Sequence, residues 1–188
     1  MLNRRDFVAQ LLVDRGNLLV VCGLGSATYD VAAAGDHPLN FYLWGAMGGT
    51  AMIGLGLALA RPDRRVAVIT GDGDMLMGMG SLATIGVREP KNLAIVVLDN
   101  AHYGETGMQP SHTHAGVDLV AVALACRFNH ARAVSCLAEA ADVRASLHAA
   151  EGPILINARI KPDDVPRVLP LRDGHAIKQR FVEALNSL

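Results

Sequence analysis

Aromatic residues are scarce in this chain, at 4% of 188 positions, and neither sign of charge prevails, with 17 Lys+Arg against 18 Asp+Glu. No basic stripe interleaved with aromatics is present, so no nucleic-acid partner is expected. Cysteine is confined to Cys22, Cys126 and Cys136. The number is odd and CxxC is absent, which excludes a disulfide framework and predicts reduced, mostly buried thiols in a cytoplasmic protein. The longest apolar stretch, residues 46–60, is too short and too glycine-rich to cross a bilayer, so no membrane association is expected. The opening Met1-Leu2-Asn3-Arg4-Arg5-Asp6 has no apolar core for a signal peptide, and its Arg pair reads as a solvated helix start. No repeat or linker divides the chain. Its length, with 51% hydrophobic residues, predicts one domain over 1–188.

Glycine, by contrast, is plentiful at 19 residues. Short apolar runs at 18–22, 66–70, 93–98 and 153–158 read as buried parallel strands, with shorter strands at 41–43 and 131–134. Helical spacing falls between them, at 3–15, 27–34, 46–60, 80–87, 117–125, 137–149 and 174–188. The glycines in 46–60 predict that another element approaches that helix closely. The alternation predicts an α/β fold, a mostly parallel sheet with helices on both faces. Residues 99–116 are polar, with Gly, Pro and His throughout, and read as a long functional loop.

The run Val66-Ala67-Val68-Ile69-Thr70 leads straight into Gly71-Asp72-Gly73-Asp74. In a parallel sheet that turn lies at the carboxyl end of a strand, where ligands bind. Two glycines let the backbone approach a phosphate, and the Asp between them can reach a divalent cation. A second buried strand ends in Asp99-Asn100, whose amide oxygen is a neutral hard ligand. Two strand ends could grip one ion and the diphosphate beside it.

Gly71-Asp72-Gly73, some two dozen residues, then an Asn-ending pair resembles the cofactor motif of thiamine diphosphate enzymes. The resemblance implies Asp72 and Asn100 as side-chain ligands of Mg²⁺ and His102 as a ligand through its carbonyl. It implies Gly73 and Asp74 as N–H donors to the diphosphate, within a cofactor-binding segment from Gly71 through Tyr103 to Gly104. The family's pair begins with Asn where this chain has Asp99. Gly45-Ala46-Met47-Gly48 resembles the family's turn beneath the aminopyrimidine, with Met47 bending the cofactor. Gly23-Leu24-Gly25-Ser26-Ala27-Thr28, at the end of the first strand, is a further candidate for cofactor or substrate contact.

Asn40-Phe41-Tyr42, Gly80-Ser81-Leu82-Ala83-Thr84-Ile85-Gly86, Pro90-Lys91-Asn92-Leu93 and Glu105-Thr106-Gly107-Met108-Gln109-Pro110 resemble the phosphonopyruvate and sulfopyruvate decarboxylases within that superfamily. The implied function is the diphosphate- and Mg-binding subunit of a 2-oxo acid decarboxylase, 3-sulfopyruvate giving sulfoacetaldehyde and CO₂. Met47 and Glu105 are the implied catalytic residues. Phosphonopyruvate decarboxylation, an acetolactate-synthase-like carboligase and a non-catalytic subunit are the alternatives. Complete enzymes have a second domain supplying an activating Glu, so the resemblance implies a separate pyrimidine-binding partner and a hetero-oligomer. No Arg is evident in the site, so donors for an acidic tail are expected from residues 102–114 or the partner. His112 and His114 read as solvated loop residues, and Met75, Met77 and Met79 as packing beneath the cofactor. A dinucleotide fingerprint at Gly23-Leu24-Gly25 fails at its third position, Thr28.

Overall fold

The long strands are runs of Val, Ile, Leu and Ala without a polar break, the pattern of strands covered on both faces. The computed structural model describes residues 1–149 and 151–187. In it these runs become β1 (Leu19–Cys22), β3 (Val66–Gly71), β4 (Leu93–Asp99) and β8 (Ile154–Arg159). With β2 (Asn40–Tyr42) and β7 (His130–Val134) they form a six-stranded sheet of order β2-β1-β3-β4-β8-β7. All its neighbouring strands are parallel. Within residues 99–116 a small antiparallel hairpin pairs β5 (His102–Tyr103) with β6 (Gln109–Pro110).

Alternate side chains leave the sheet on opposite faces. Val20, Ile69, Val96 and Ile156 pack under α1 (Arg4–Leu11), α2 (Ser26–Ala33) and α7 (Ala140–Ala149), with Phe7, Val31 and Leu147 in the same cluster. Val68, Ile95, Val97 and Leu155 pack with Leu55, Leu82, Ile85 and Leu119 of α3 (Thr50–Ala60), α5 (Gly80–Arg88) and α6 (Leu119–Ala125). Each such buried Leu or Ile contributes about 1.5–3 kcal/mol. At the β2 side, Phe181 of α8 (Gly174–Asn186) meets Phe41 edge-on, with ring centroids 5.7 Å apart.

Several elements differ from expectation. Asn3 caps α1 as foreseen, accepting from the N–H groups of Arg5 and Asp6, but the helix ends at Leu11 because Asp14 (φ 50°) and Gly16 (φ 52°) turn the chain. Arg4 is not solvated: it is 4% exposed and pairs with the buried Asp30 of α2 at 3.4 Å. α3 begins at Thr50, since Ala46 (φ 54°) and Gly48 (φ 88°) are left-handed. The close approach expected of that helix is made at Gly54, where a Cβ would lie 2.2 Å from Val68 Cγ2. The Gly-Asp-Gly turn itself opens a short helix, α4 (Asp72–Met77). Met75 is buried as expected, but Met77 and Met79 are exposed. Cys22 is buried, Cys126 half-buried and Cys136 exposed. The closing helix was expected to reach Leu188, which lies outside the described residues. No described helix is long and apolar enough to cross a membrane.

Candidate functional site

The parallel register aligns the carboxyl ends of β1, β3, β4 and β8 along one edge of the sheet. β1 has β2 on one side and β3 on the other, so the chain changes direction there, and ligands of such sheets bind in that crevice. A cavity of about 290 Å³ opens at this edge. Gly71, Asp72, Gly73 and Asp74 line it from β3 and α4, and Asn100, His102, Tyr103, Gly104 and Glu105 from the far side. Leu24, Ser26, Ala27, Met47 and the loop residue Thr106 complete the expected lining, with Leu98 and Ile160 added to it. Gly25, Gly45 and Ala46 were expected at the cofactor and do not line the cavity. Gly25 (φ 70°) lies behind Glu105, where a Cβ would come within 2.8 Å of the Glu105 side chain. Gly45 and Ala46 belong to the turn that carries Met47.

The inner end of the cavity is built on two buried carboxylates. Ser111 Oγ donates to Asp72 Oδ2 at 2.5 Å, and Thr113 Oγ1 lies 3.3 Å from the same oxygen. Thr113 Oγ1 also donates to Asp99 Oδ1 at 2.8 Å. Asp99 further accepts from Ala101 N–H at 3.0 Å and Asn157 Nδ2 at 3.0 Å, and pairs with Arg159 Nη1 at 2.7 Å. Four donors on one side chain suit a carboxylate, which only accepts; an amide would aim its own N–H₂ at two of them. That accounts for Asp rather than Asn at this position. Burial pushes the Asp72 carboxyl above its ordinary range, with the Asp99 charge acting in the same direction and the Ser111 bond opposing it. Ser111 and Thr113 were missed from sequence. They read as loop polars, and only the hairpin's return to the sheet, held by Ser111 N–H to Ala101 O at 2.8 Å, brings them inward.

Asp74 acts through its side chain as well as its place in α4. It accepts from Gly48 N–H at 2.5 Å and from Thr70 Oγ1, tying the Met47 turn to the end of β3. Gly78 packs on the same turn, where a Cβ would come 2.1 Å from Gly48 O. At Gly73 a Cβ would lie 2.8 Å from the Tyr103 ring and 3.3 Å from Met47 Cε. Gly71 offers no side-chain cap to α4, so the first N–H groups of that helix are left for other acceptors.

Asn100 Oδ1 accepts from His102 N–H at 2.9 Å, and Asn100 O lies 2.8 Å from His102 Nδ1. His102 stands opposite Pro110, which has no N–H to give. Because Ala101 O already bonds Ser111 N–H, the next pair along is the non-bonded kind, and the His102 carbonyl faces away from β6. The loop histidines are exposed, as expected, and also make contacts: His112 Nδ1 lies 3.1 Å from Tyr103 Oη, and the His114 ring meets His102 edge-on at 5.6 Å. An Arg unforeseen from sequence also reaches the site. Arg167 Nη2 lies 3.6 Å from Glu105 Oε2.

Residues 23–158 match the family described as thiamine pyrophosphate enzyme, C-terminal TPP binding domain. The chain is 38% identical to sulfopyruvate decarboxylase subunit beta of Methanothermobacter thermautotrophicus, over 97% of this chain and 95% of that protein. It is 40% identical to phosphonopyruvate decarboxylase of Streptomyces viridochromogenes, over 80% of this chain but 39% of that longer protein. In fold it is similar to a thiamine diphosphate-dependent 4-hydroxybenzoylformate decarboxylase of Rhodococcus jostii RHA1, with TM-score 0.71, 20% identity and 87% of this chain on 33% of that one. The family match runs from the residue after β1 into β8 and takes in the cavity's walls from Leu24 to Thr106, and this chain belongs to the thiamine pyrophosphate enzymes through their C-terminal TPP binding domain.

Proposed function

We propose that this chain binds the diphosphate and magnesium of thiamine diphosphate in a 2-oxo acid decarboxylase that converts 3-sulfopyruvate to sulfoacetaldehyde and CO₂. The observation that carries this proposal is the meeting of Asp72 and Asn100 across one cavity with the Gly73 backbone. The Asp72 carboxylate, the Asn100 amide and the His102 carbonyl are all oxygen donors, the set a hard cation takes. The buried Asp72 carboxylate is held above its ordinary range, and a cation beside it would favour its charged form. Gly71, Gly73 and Asp74 present a backbone without capping side chains, which suits phosphate oxygens. No Lys or Arg is among the described residues lining the cavity, so a metal held by Asp72, Asn100 and the His102 carbonyl would supply the positive charge there. The residues fit the group.

Bound thiamine diphosphate supplies the nucleophilic carbon and the electron sink that decarboxylation of a 2-oxo acid requires. Met47 sits on the turn that Asp74 and Gly78 hold through Gly48, and it narrows the cavity beside Gly73 and Tyr103, where it would support the cofactor between its two ends. Glu105 faces the mouth, where it orients substrate. Ser26 on the opposite wall is a further contact. A separate pyrimidine-binding subunit brings the activating Glu, giving a hetero-oligomer, cytoplasmic in keeping with three unpaired cysteines. Two surfaces support such a partner. Met47, Met77 and Met79 are exposed around a second hollow beside the cavity. α3 is apolar on all sides, with Met52 and Leu59 exposed, as expected of a helix that another chain covers. The 40% identity to a phosphonopyruvate decarboxylase favours phosphonopyruvate as the second candidate substrate.

The test mixes this chain with the partner subunit, Mg²⁺ and thiamine diphosphate, and assays aldehyde release from both substrates. Turnover of neither removes the substrate assignment. Asp72→Ala is expected to abolish Mg²⁺-dependent cofactor binding, and binding retained in that variant would sink the metal-site assignment.

A further inference from the structure

The described residues lining the cavity include the acids Asp72, Asp74 and Glu105 but no Lys or Arg. A 2-oxo acid whose tail is itself an acid arrives as a dianion, and such a wall repels it. A cation stands at the mouth all the same. Arg167 belongs to residues 161–173, which join β8 to α8 without regular secondary structure. Its Nη2 lies 3.6 Å from Glu105 Oε2, an ion pair too long for a hydrogen bond. Its guanidinium carbon lies over the Tyr29 ring, 5.6 Å from the ring centre, a cation–π contact that holds the head group near the mouth. The side chain remains 59% exposed, so donors are open to a ligand.

The backbone on either side of Arg167 is anchored. Arg5 Nη2 donates to Pro166 O at 2.8 Å, and Arg5 Nε to the buried Asp30 Oδ1 at 3.2 Å. Trp44 Nε1 donates to Leu171 O at 2.9 Å, and the Arg172 guanidinium lies 5.4 Å from the Trp44 ring centre. Pro162, Pro166 and Pro170 restrict the backbone between these anchors. An irregular segment pinned at both ends holds one free-ended cation over Glu105.

We infer that Arg167 binds the terminal acid group of the substrate, the sulfonate or phosphonate on the carbon next to the 2-oxo group, and so separates acid-tailed from apolar-tailed 2-oxo acids. This rests on the decarboxylase assignment above. Five donors in a rigid fork let one guanidinium hold Glu105 and a tetrahedral oxyanion together, which a point charge does less well. Without substrate the pair with Glu105 keeps the fork in place.

The test uses the complex loaded with Mg²⁺ and thiamine diphosphate, as wild type, Arg167→Gln and Arg167→Lys. The ratio of kcat/KM for 3-sulfopyruvate to that for 2-oxobutanoate is expected to fall about 10- to 100-fold in Arg167→Gln, mostly through KM, with Arg167→Lys between. Calorimetric titration with 3-sulfopropanoate, which has the acid tail but no oxo group, is expected to show a similar loss of affinity. Equal losses on both 2-oxo acids, or an unchanged ratio, would overturn the inference. If the wild type turns over neither acid, the titration decides. Weaker 3-sulfopropanoate binding in Arg167→Gln then keeps Arg167 as an anion site while the decarboxylase assignment falls. Equal binding, or none, in wild type and variant overturns the Arg167 role.

Discussion

The two ends of the cavity are built differently. At the inner end Asp72 and Asp99 are 2% and 1% exposed, and both are held by groups of this chain: Ser111, Thr113, Asn157 and Arg159. At the mouth Met47 is 38% exposed, and Glu105 has one long ion pair among the described residues, to Arg167. Buried polar groups hold their geometry only when their partners are supplied. The inner end has those partners within one chain. The mouth is an apolar rim with a few charges, a surface still to be covered. Under the proposed function, the contrast assigns the charged end of the cofactor to groups of this chain and leaves the mouth for a partner subunit to complete.

Changes at the inner end should affect cofactor binding and folding together, while changes at the mouth should affect substrate selection and turnover and leave cofactor binding and folding in place. The largest effect is expected for Asp99→Asn, which turns an amide N–H₂ against existing donors. Urea denaturation should show a loss of about 2–4 kcal/mol, and Mg²⁺-dependent cofactor affinity should fall with it. Wild-type stability in Asp99→Asn would mean that the network does not brace the site. Next come Ser111→Ala and Thr113→Val, which remove one donor each from carboxylates that keep other partners. Each should weaken Mg²⁺ affinity about tenfold and stability by about 1–2 kcal/mol, measured by titration and melting. The smallest effect on binding is expected for Met47→Ala at the mouth. Cofactor affinity should change less than about threefold while kcat falls about tenfold or more, and Met47→Leu should restore most of it. A Met47→Ala variant that loses cofactor binding as Asp99→Asn does would erase the difference between the two ends.

Much of the framework was legible because its signals are local. Four apolar runs became the central strands of the sheet, and Asn3 became a helix cap, since strand burial and capping are written in a few adjacent residues. The same holds for Gly71-Asp72-Gly73 and Asp99-Asn100. Each follows its own strand, and parallel pairing of β3 with β4 then sets them side by side. Misreadings arose where backbone torsion decided. Residues 46–49 have helical composition, but left-handed Ala46 and Gly48 put them in a turn, held there by a carboxylate 26 positions away.

The sequence by itself thus determined the strand framework, the edge of the sheet that carries the site, and the family to which the chain belongs. Only the tertiary structure decided which polar residues brace that site. Ser111 and Thr113 meet Asp72 across 39 and 41 positions, and Arg5 anchors Pro166 across 161. Long-range hydrogen bonds leave no periodicity in the chain, because their geometry exists only after the sheet has brought its strand ends together. Arg167 shows this most directly: nothing in its neighbourhood of the sequence marks it, and its place over Glu105 follows from how residues 161–173 are pinned to α1 and Trp44.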